Sequence, residues 1–203
     1  MAIPRLPHEL SSQWLRSRFS PERQQTHAPY VDGNAPAGVA LREASVLIPV
    51  IEREPELTVL FTRRTDHLQA HAGQISFPGG GVEPGDASPI ATALRETEEE
   101  IGLPATRVEV LGHLGEHHTG TGFRVTPVVG LIRPPFELRP DDFEVAEIFE
   151  VPLAFFLDTT NHKRGSMLRD GKPREFDAMP YGNYYIWGAT ASMLRRFHAY
   201  LAA

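Results

Sequence analysis

Cysteine is absent from this chain, which removes disulfides, thiolate nucleophiles and Cys-based zinc sites and suits a reducing compartment. Positive charge is also in short supply: 20 Lys and Arg stand against 26 Asp and Glu, a formal net charge of -6. A broad attraction to nucleic acid or to an anionic membrane surface is therefore not expected. No apolar run approaches the ~18 residues a spanning helix needs. The opening MAIPRLPHELSSQWLRSRF lacks the continuous apolar stretch of a signal peptide, and the closing YLAA carries no retention or peroxisomal address. The expectation is a soluble cytoplasmic protein with neither a nucleic-acid nor a membrane partner. An anionic substrate would have to be recruited by metal ions or by a few local cations.

What the sequence does contain is enough apolar residues, 41% of 203, for one domain with a real core. A helix over about Pro7 to Phe19 leads into PERQQTHAPYVDGNAPAG, a connecting loop by its proline, glycine and polar content. ASVLIPVIE and LTVLFTRR read as two strands joined by the turn REPE, hence a hairpin. HLQAHAGQISFPGGGVEPGD is too rich in glycine and proline for a helix and reads as a long, functional loop with a short strand at Gln74 to Phe77. Ser88 and Pro89 start a helix that Gly102 and Pro104 stop, over about Pro89 to Ile101. RVEVLGHLGE and FRVTPVVGLI follow as strands, PLAFFLD as a helix, YYIWG as a strand and ATASMLRRFHAYL as a closing amphipathic helix. The mixed order predicts an antiparallel-leaning sheet with helices on its faces, an α+β or α/β/α layered class.

Within the central helix, RETEEEIGL packs four glutamates into nine residues. At about 100° per residue, Ile90, Leu94, Thr97 and Ile101 form a narrow stripe for burial, while Glu96, Glu99 and Glu100 project together from the other side and Glu98 points elsewhere. Like charges at these spacings oppose an isolated helix by roughly 0.2–0.5 kcal/mol per pair. Most acidic clusters on helices are simply solvated, but a hard cation such as Mg²⁺ or Mn²⁺ is the other arrangement that makes such a cluster tolerable.

Read outwards, GGGVEPGDASPIATALRETEEEIGL resembles the Nudix box, with Gly81, Arg95, Glu96, Glu99, Glu100, Gly102 and Leu103 at that family's spacing. Two positions depart from it. Thr97 stands where the family usually has an apolar residue, and Ala87 where it has a glutamate, with Asp86 one position earlier as the candidate substitute. Upstream, LFTRRTDHLQAHAGQISFPGG is similar to the extra motif of the coenzyme A pyrophosphatase branch, through Leu60, Thr62, Arg64, Leu68, His71, Gly73, Gln74, Phe77, Pro78, Gly79 and Gly80. TGTGFRVTPVVGLI and FEVAEIFEVPL also resemble that branch.

The resemblance implies a single Nudix hydrolase domain over residues 1–203 with an N-terminal helix and loop (about 1–38), an α+β, Nudix-type α/β/α sandwich with a mixed sheet, and a catalytic loop-helix-loop around residues 79–104. It implies Glu96, Glu99 and Glu100 as ligands of Mg²⁺ or Mn²⁺, with Glu98 replaceable and Arg95 orienting Glu99 or its neighbours. The general base is left open between Glu99 and Glu144, with Glu147 nearby. Gly80 and Gly81 bring backbone close to phosphate; Arg63 and Arg64 would meet the extra 3′-phosphate of coenzyme A; His71 and Gln74 position phosphates or the loop; Phe77 belongs to the core. A zinc reading of His113, His117 and His118 lacks both Cys and a helical H-x-x-x-H. The implied activity is hydrolysis of coenzyme A or its acyl derivatives, a small-molecule nucleotide substrate, and the family resemblance also admits a homodimer. ADP-ribose or another nucleoside diphosphate derivative is the rival substrate, and a non-catalytic nucleotide sensor the rival class.

Overall fold

The run around ASVLIPVIE is apolar at both odd and even positions, the pattern of a strand covered on both faces. In the computed structural model, which describes residues 10–19, 30–31, 38–67, 73–169 and 171–203, it becomes β2 (Arg42–Glu52), the centre of a nine-stranded mixed sheet. Two short strands flank this centre in the chain: β1 (Tyr30–Val31) before it and, after β3 (Leu57–Arg64), β4 (Ile75–Ser76). Then come β5 (Gly79–Gly81), α2 (Pro89–Ile101), β6 (Val108–His113), β7 (His117–His118), β8 (Phe123–Ile132) and β9 (Val145–Pro152). α1 (Ser12–Arg18) precedes all of these, and α3 (Leu153–Leu157), the antiparallel strands β10 (Lys163–Arg169), β11 (Lys172–Tyr181) and β12 (Tyr184–Trp187), and α4 (Gly188–Ala202) complete the order.

β2 pairs in parallel with β8 from Arg42↔Phe123 to Ile51↔Ile132, and on its other edge runs antiparallel to β5 and then to β3. The expected β2–β3 hairpin is present and most pairings of the sheet are antiparallel, as expected; the exceptions are the long β2–β8 pairing at its centre and the short β1–β7 pairing, both parallel. Parallel pairing joins segments far apart in sequence, and no local turn signal announces it. The sheet is closed on both sides, giving the expected α/β/α layers. Ile48, Val50, Val59, Phe61, Val129 and Phe149 meet α1, α3 and α4 in the larger core. Leu47, Ile51, Leu60, Val128 and Ile132 face the other way, toward α2 and the segment after it.

α2 has the boundaries its signals predict: Ser88 accepts from the Ala91 amide at 3.2 Å, Pro89 is its first residue, and Gly102 adopts φ +68° and donates to the Glu98 carbonyl. Thr97 is buried without penalty because its hydroxyl donates to the Ala93 carbonyl at 2.6 Å. The N-terminal helix starts at Ser12, capped by the Ser11 side chain, which accepts from the Trp14 amide, so it begins later than the expected Pro7; His71 and Leu68 lie outside the described residues. β9, β10 and β11 exceed what the sequence pattern predicts; their polar alternation is weak, and pairing supplies the order. No helix among the described residues is long and apolar enough to cross a membrane.

Phe61 is fully buried and its ring packs against Phe77, Phe149 and Phe156 at centroid distances of 5.1, 5.6 and 5.4 Å. Phe61→Ala is expected to lower unfolding stability by about 3–5 kcal/mol, read as a fall in the denaturant midpoint with an unchanged slope.

Candidate active site

β5 is three glycines in a row, and this lack of side chains lets α2 lie close. A Cβ on Gly80 would sit 2.5 Å from the carboxyl carbon of Glu96, so the glutamate fills space that any other residue at position 80 would occupy. Glu100, one turn further on, is buried at 6% exposure, while Glu99 on the outer flank is 59% exposed. The three carboxylates thus do not project together as the wheel predicts. The buried seam of α2 is centred on Ala93, Thr97, Glu100 and Ile101, with Ile90 and Leu94 only partly covered, so Glu100 falls inside it and Glu99, about 100° around the helix, falls outside.

Arg95 holds the outer side in order. Its Nε and Nη2 donate to the two oxygens of Asp86, both at 3.0 Å, Nη2 also reaches the Gly81 carbonyl at 3.1 Å, and Nη1 lies 3.0 Å from Glu96 and 2.9 Å from Glu99. Asp86 further accepts from the Glu83 amide and the Thr92 hydroxyl, each at 2.9 Å. The Arg95 fork, then the Glu83 amide, holds the Asp86 carboxyl well below the usual carboxylate range. Asp86 therefore clamps the glycine loop to the helix from the position next to Ala87.

The inner side is charged and incompletely paired. Burial pushes the Glu100 carboxyl up to about 8 despite the pull of Arg64, and Glu144 and Glu96 push it in the same direction as burial. Glu96 is likewise raised, chiefly by burial. Arg64 sits 3.9 Å from Glu100 and 3.7 Å from Glu144, beyond hydrogen-bond length in both cases. Glu144, distant in sequence, is tied in by backbone: the Asp141 amide donates to the Glu100 carbonyl and the Thr65 amide to the Glu144 carbonyl.

Oε2 of Glu100 is buried with no hydrogen-bond partner, and a buried anion among other anions is costly. A hard divalent cation fits this donor set, with Glu96 and Glu100 as its nearest carboxylates. Among the described residues no three His, Cys, Asp or Glu side chains converge closely enough to hold a metal ion, and Arg95 Nη1 lies against both Glu96 and Glu99.

Arg63 and Arg64 separate. They alternate across β3, so Arg64 faces α2 while Arg63 faces the opposite layer, where its Nε donates to Glu147 at 3.1 Å. An irregularity in the β3–β9 register pairs Arg63 with Glu147 but Arg64 with Val145, leaving Ala146 as the extra residue. Glu147 lies on the Arg63 side in the register that pairs Phe149 with Phe61, and the bulge turns Val145 to the α2 side, against the even spacing of the two residues. Tyr184, which the sequence reading did not single out, donates to Glu147 at 2.6 Å. Gln74 accepts the Arg64 amide through its carbonyl and lines the same cavity as Arg63. The two arginines therefore do not form one joint phosphate clamp.

Two outcomes are expected. Gly80→Ala should leave the melting temperature nearly unchanged, because a flexible carboxylate can move aside, yet lower turnover by about 100-fold through displacement of Glu96; thermal scans and steady-state rates test this. In the metal-free protein the Glu100 carboxyl is protonated in both folded and unfolded chains below about 4.5, whereas between there and about 8 only the folded chain keeps the proton. Stability from this group thus falls as pH rises through that window, by at most about 1.4 kcal/mol per pH unit. Denaturation across pH in EDTA should show a decline that Glu100→Gln flattens and saturating Mg²⁺ offsets.

Residues 41–170 match the NUDIX domain family. The chain is 43% identical over 175 residues to the "Uncharacterized Nudix hydrolase NudL" of Yersinia pestis (strain Pestoides F), covering 86% of this chain and 84% of that one. The same values hold for the protein of that name in Yersinia pseudotuberculosis serotype O:1b (strain IP 31758). Among solved structures, the Nudix hydrolase RenU of M. smegmatis aligns with a TM-score of 0.49 at 21% identity, over 64% of this chain and 81% of that chain. With the family match extending over most of the sheet and the whole of the acidic helix, this chain belongs to the Nudix hydrolases.

Proposed function

We propose that this Nudix hydrolase cleaves the pyrophosphate link of coenzyme A or acyl-coenzyme A, giving 3′,5′-ADP and 4′-phosphopantetheine or its acyl form. The observation that supports the reading is the position of the described parts of the segment from Leu60 to Gly80, the stretch similar to the coenzyme A pyrophosphatase branch. It supplies the wall of the acidic cleft: Arg64 at the end of β3 beside Glu100 and Glu144, and Gly80 under Glu96.

A pyrophosphate diester carries two negative charges that repel an attacking hydroxide. Glu96 and Glu100 would hold Mg²⁺ or Mn²⁺, with Glu99 able to join them on leaving Arg95, and the ion would supply neutralisation of those charges and acidification of water. The protein's own residues do the rest. Arg95 fixes the carboxylates and the glycine loop, and Arg64, lacking a close partner for its charge, is placed to meet a phosphate oxygen. Between the two candidate bases, Glu144 is favoured: it lies beside Arg64 and Glu100, whereas the Glu99 carboxylate is turned onto Arg95. A carboxylate there takes the proton of the attacking water; one P–O bond forms, the bridging P–O bond breaks, and each product leaves as a phosphate monoester.

The test is incubation with coenzyme A and Mg²⁺ or Mn²⁺, followed by ³¹P NMR and chromatography, with ADP-ribose in parallel. Expected are metal-dependent release of 3′,5′-ADP and a loss of at least about 100-fold in Glu100→Gln. Cleavage of ADP-ribose alone would keep the hydrolase and discard the coenzyme A reading; tight nucleotide binding without turnover of either would make the chain a sensor.

A further inference from the structure

Across the β3 end from the acidic cleft lies a second cavity of about 670 Å³, bounded by Arg63, Gln74, Glu147, Asn183, Tyr185 and Trp187. Its size suits one part of a nucleotide. Glu147 is its fixed point: one oxygen accepts from Arg63 Nε at 3.1 Å, the other from the Tyr184 hydroxyl at 2.6 Å. The Tyr184 ring in turn lies flat on Phe149, with centroids 3.7 Å apart and planes 2° apart, so the carboxylate is held from a packed aromatic base. Because Arg63 and Glu147 neutralise one another, the described residues that line this cavity leave no surplus positive charge with which to bind a phosphate. Arg64, on the other side of the strand, faces Glu100 and Glu144.

The remaining walls are aromatic and amide. Tyr185 is 51% exposed, an unusual state for a large ring, and Trp187 lines the cavity from the same strand. Asn183 sits in the turn between β11 and β12 and offers both a carbonyl acceptor and an amine donor. Each Glu147 oxygen retains acceptor capacity after its one hydrogen bond. Exposed rings stack on any flat heterocycle, while an Asn or Gln amide pairs with the amine and ring-nitrogen edge of adenine, and a carboxylate accepts from an exocyclic amine.

We propose that this cavity is a base subsite for adenine, with Tyr185 and Trp187 as the stacking face, Asn183 and Gln74 as the amide edge, and Glu147, held by Arg63 and Tyr184, as acceptor for the exocyclic amine. The inference rests on the reading of the chain as a hydrolase of an adenine-bearing pyrophosphate, and it is the same for coenzyme A and ADP-ribose. Base and pyrophosphate then occupy the two sides of the β3 end, with consecutive arginines serving one side each. Arg63 becomes a positioning residue for Glu147 instead of a ligand of the 3′-phosphate.

Uncharged nucleosides separate this subsite from the metal cleft. The chain has two tryptophans, Trp14 and Trp187, so Trp14→Phe leaves Trp187 as the only indole emitter. Adenosine titrated into that protein in EDTA should quench the emission saturably. Inosine, which lacks the exocyclic amine, should bind about tenfold more weakly. Asn183→Ala and Tyr185→Ala, both at exposed positions, should each weaken adenosine by about tenfold. Saturation-transfer NMR of adenosine and inosine on the unsubstituted protein gives the same comparison without any variant. Absence of adenosine binding, equal binding of inosine, or unchanged affinity in both variants with native circular dichroism would overturn the subsite. If metal-dependent cleavage of coenzyme A persists in that case, the hydrolase reading stands alone; adenosine binding without turnover of coenzyme A or ADP-ribose would leave the subsite and remove the hydrolase reading.

Discussion

The constraint on which the site depends is the absence of side chains from β5. A helix packed on a sheet normally meets a layer of side chains about 10 Å deep. Here Gly79 to Gly81 let the acidic flank of α2 descend until the Glu96 carboxylate occupies the place of a missing Cβ. Once α2 is seated that low, Glu100 is carried below the surface with it. The raised affinity of Glu100 for a proton and its unpartnered oxygen are consequences of that approach.

Charge is then distributed by depth. On the outer flank Arg95 has close partners at every turn, and the donors that converge on Asp86 make it a rigid fastening between loop and helix. On the inner flank Arg64 stands off from both Glu100 and Glu144. A fully paired inner flank would be more stable and would have no use for a cation or a phosphate. The incomplete pairing is the electrostatic signature of a site whose missing charges arrive with its ligands.

The bulge at Ala146 gives β9 two faces of function. The end of β3 separates a carboxylate-lined cleft, on the side of Arg64, from an aromatic cavity on the side of Arg63. Glu147 keeps the register that pairs Phe149 with Phe61 and so faces Arg63; beyond the bulge it is Val145 that is turned to the α2 face. One inserted residue is enough, because strand periodicity is two and a slip of one exchanges the faces.

The sequence by itself determined α2, with its Ser88 cap, its Pro89 start and its Gly102 stop, because caps and turns are local and each is carried by one or two residues. It also determined the β2–β3 hairpin, the inward packing of Phe77, and the presence of an acidic helix behind a glycine loop. Only the tertiary structure decided that Glu99 stays outside while Glu100 is buried, since a helical wheel has no knowledge of how deeply or at what rotation the helix is seated. The same holds for the delivery of Glu144 to Arg64 by the backbone of residues 139–145, the division of Arg63 from Arg64, and the pairing of Glu147 with Tyr184, 37 residues apart. These relations arise from parallel pairing, bulge register and the stacking of Tyr184 on Phe149, which join parts of the chain that no local pattern connects.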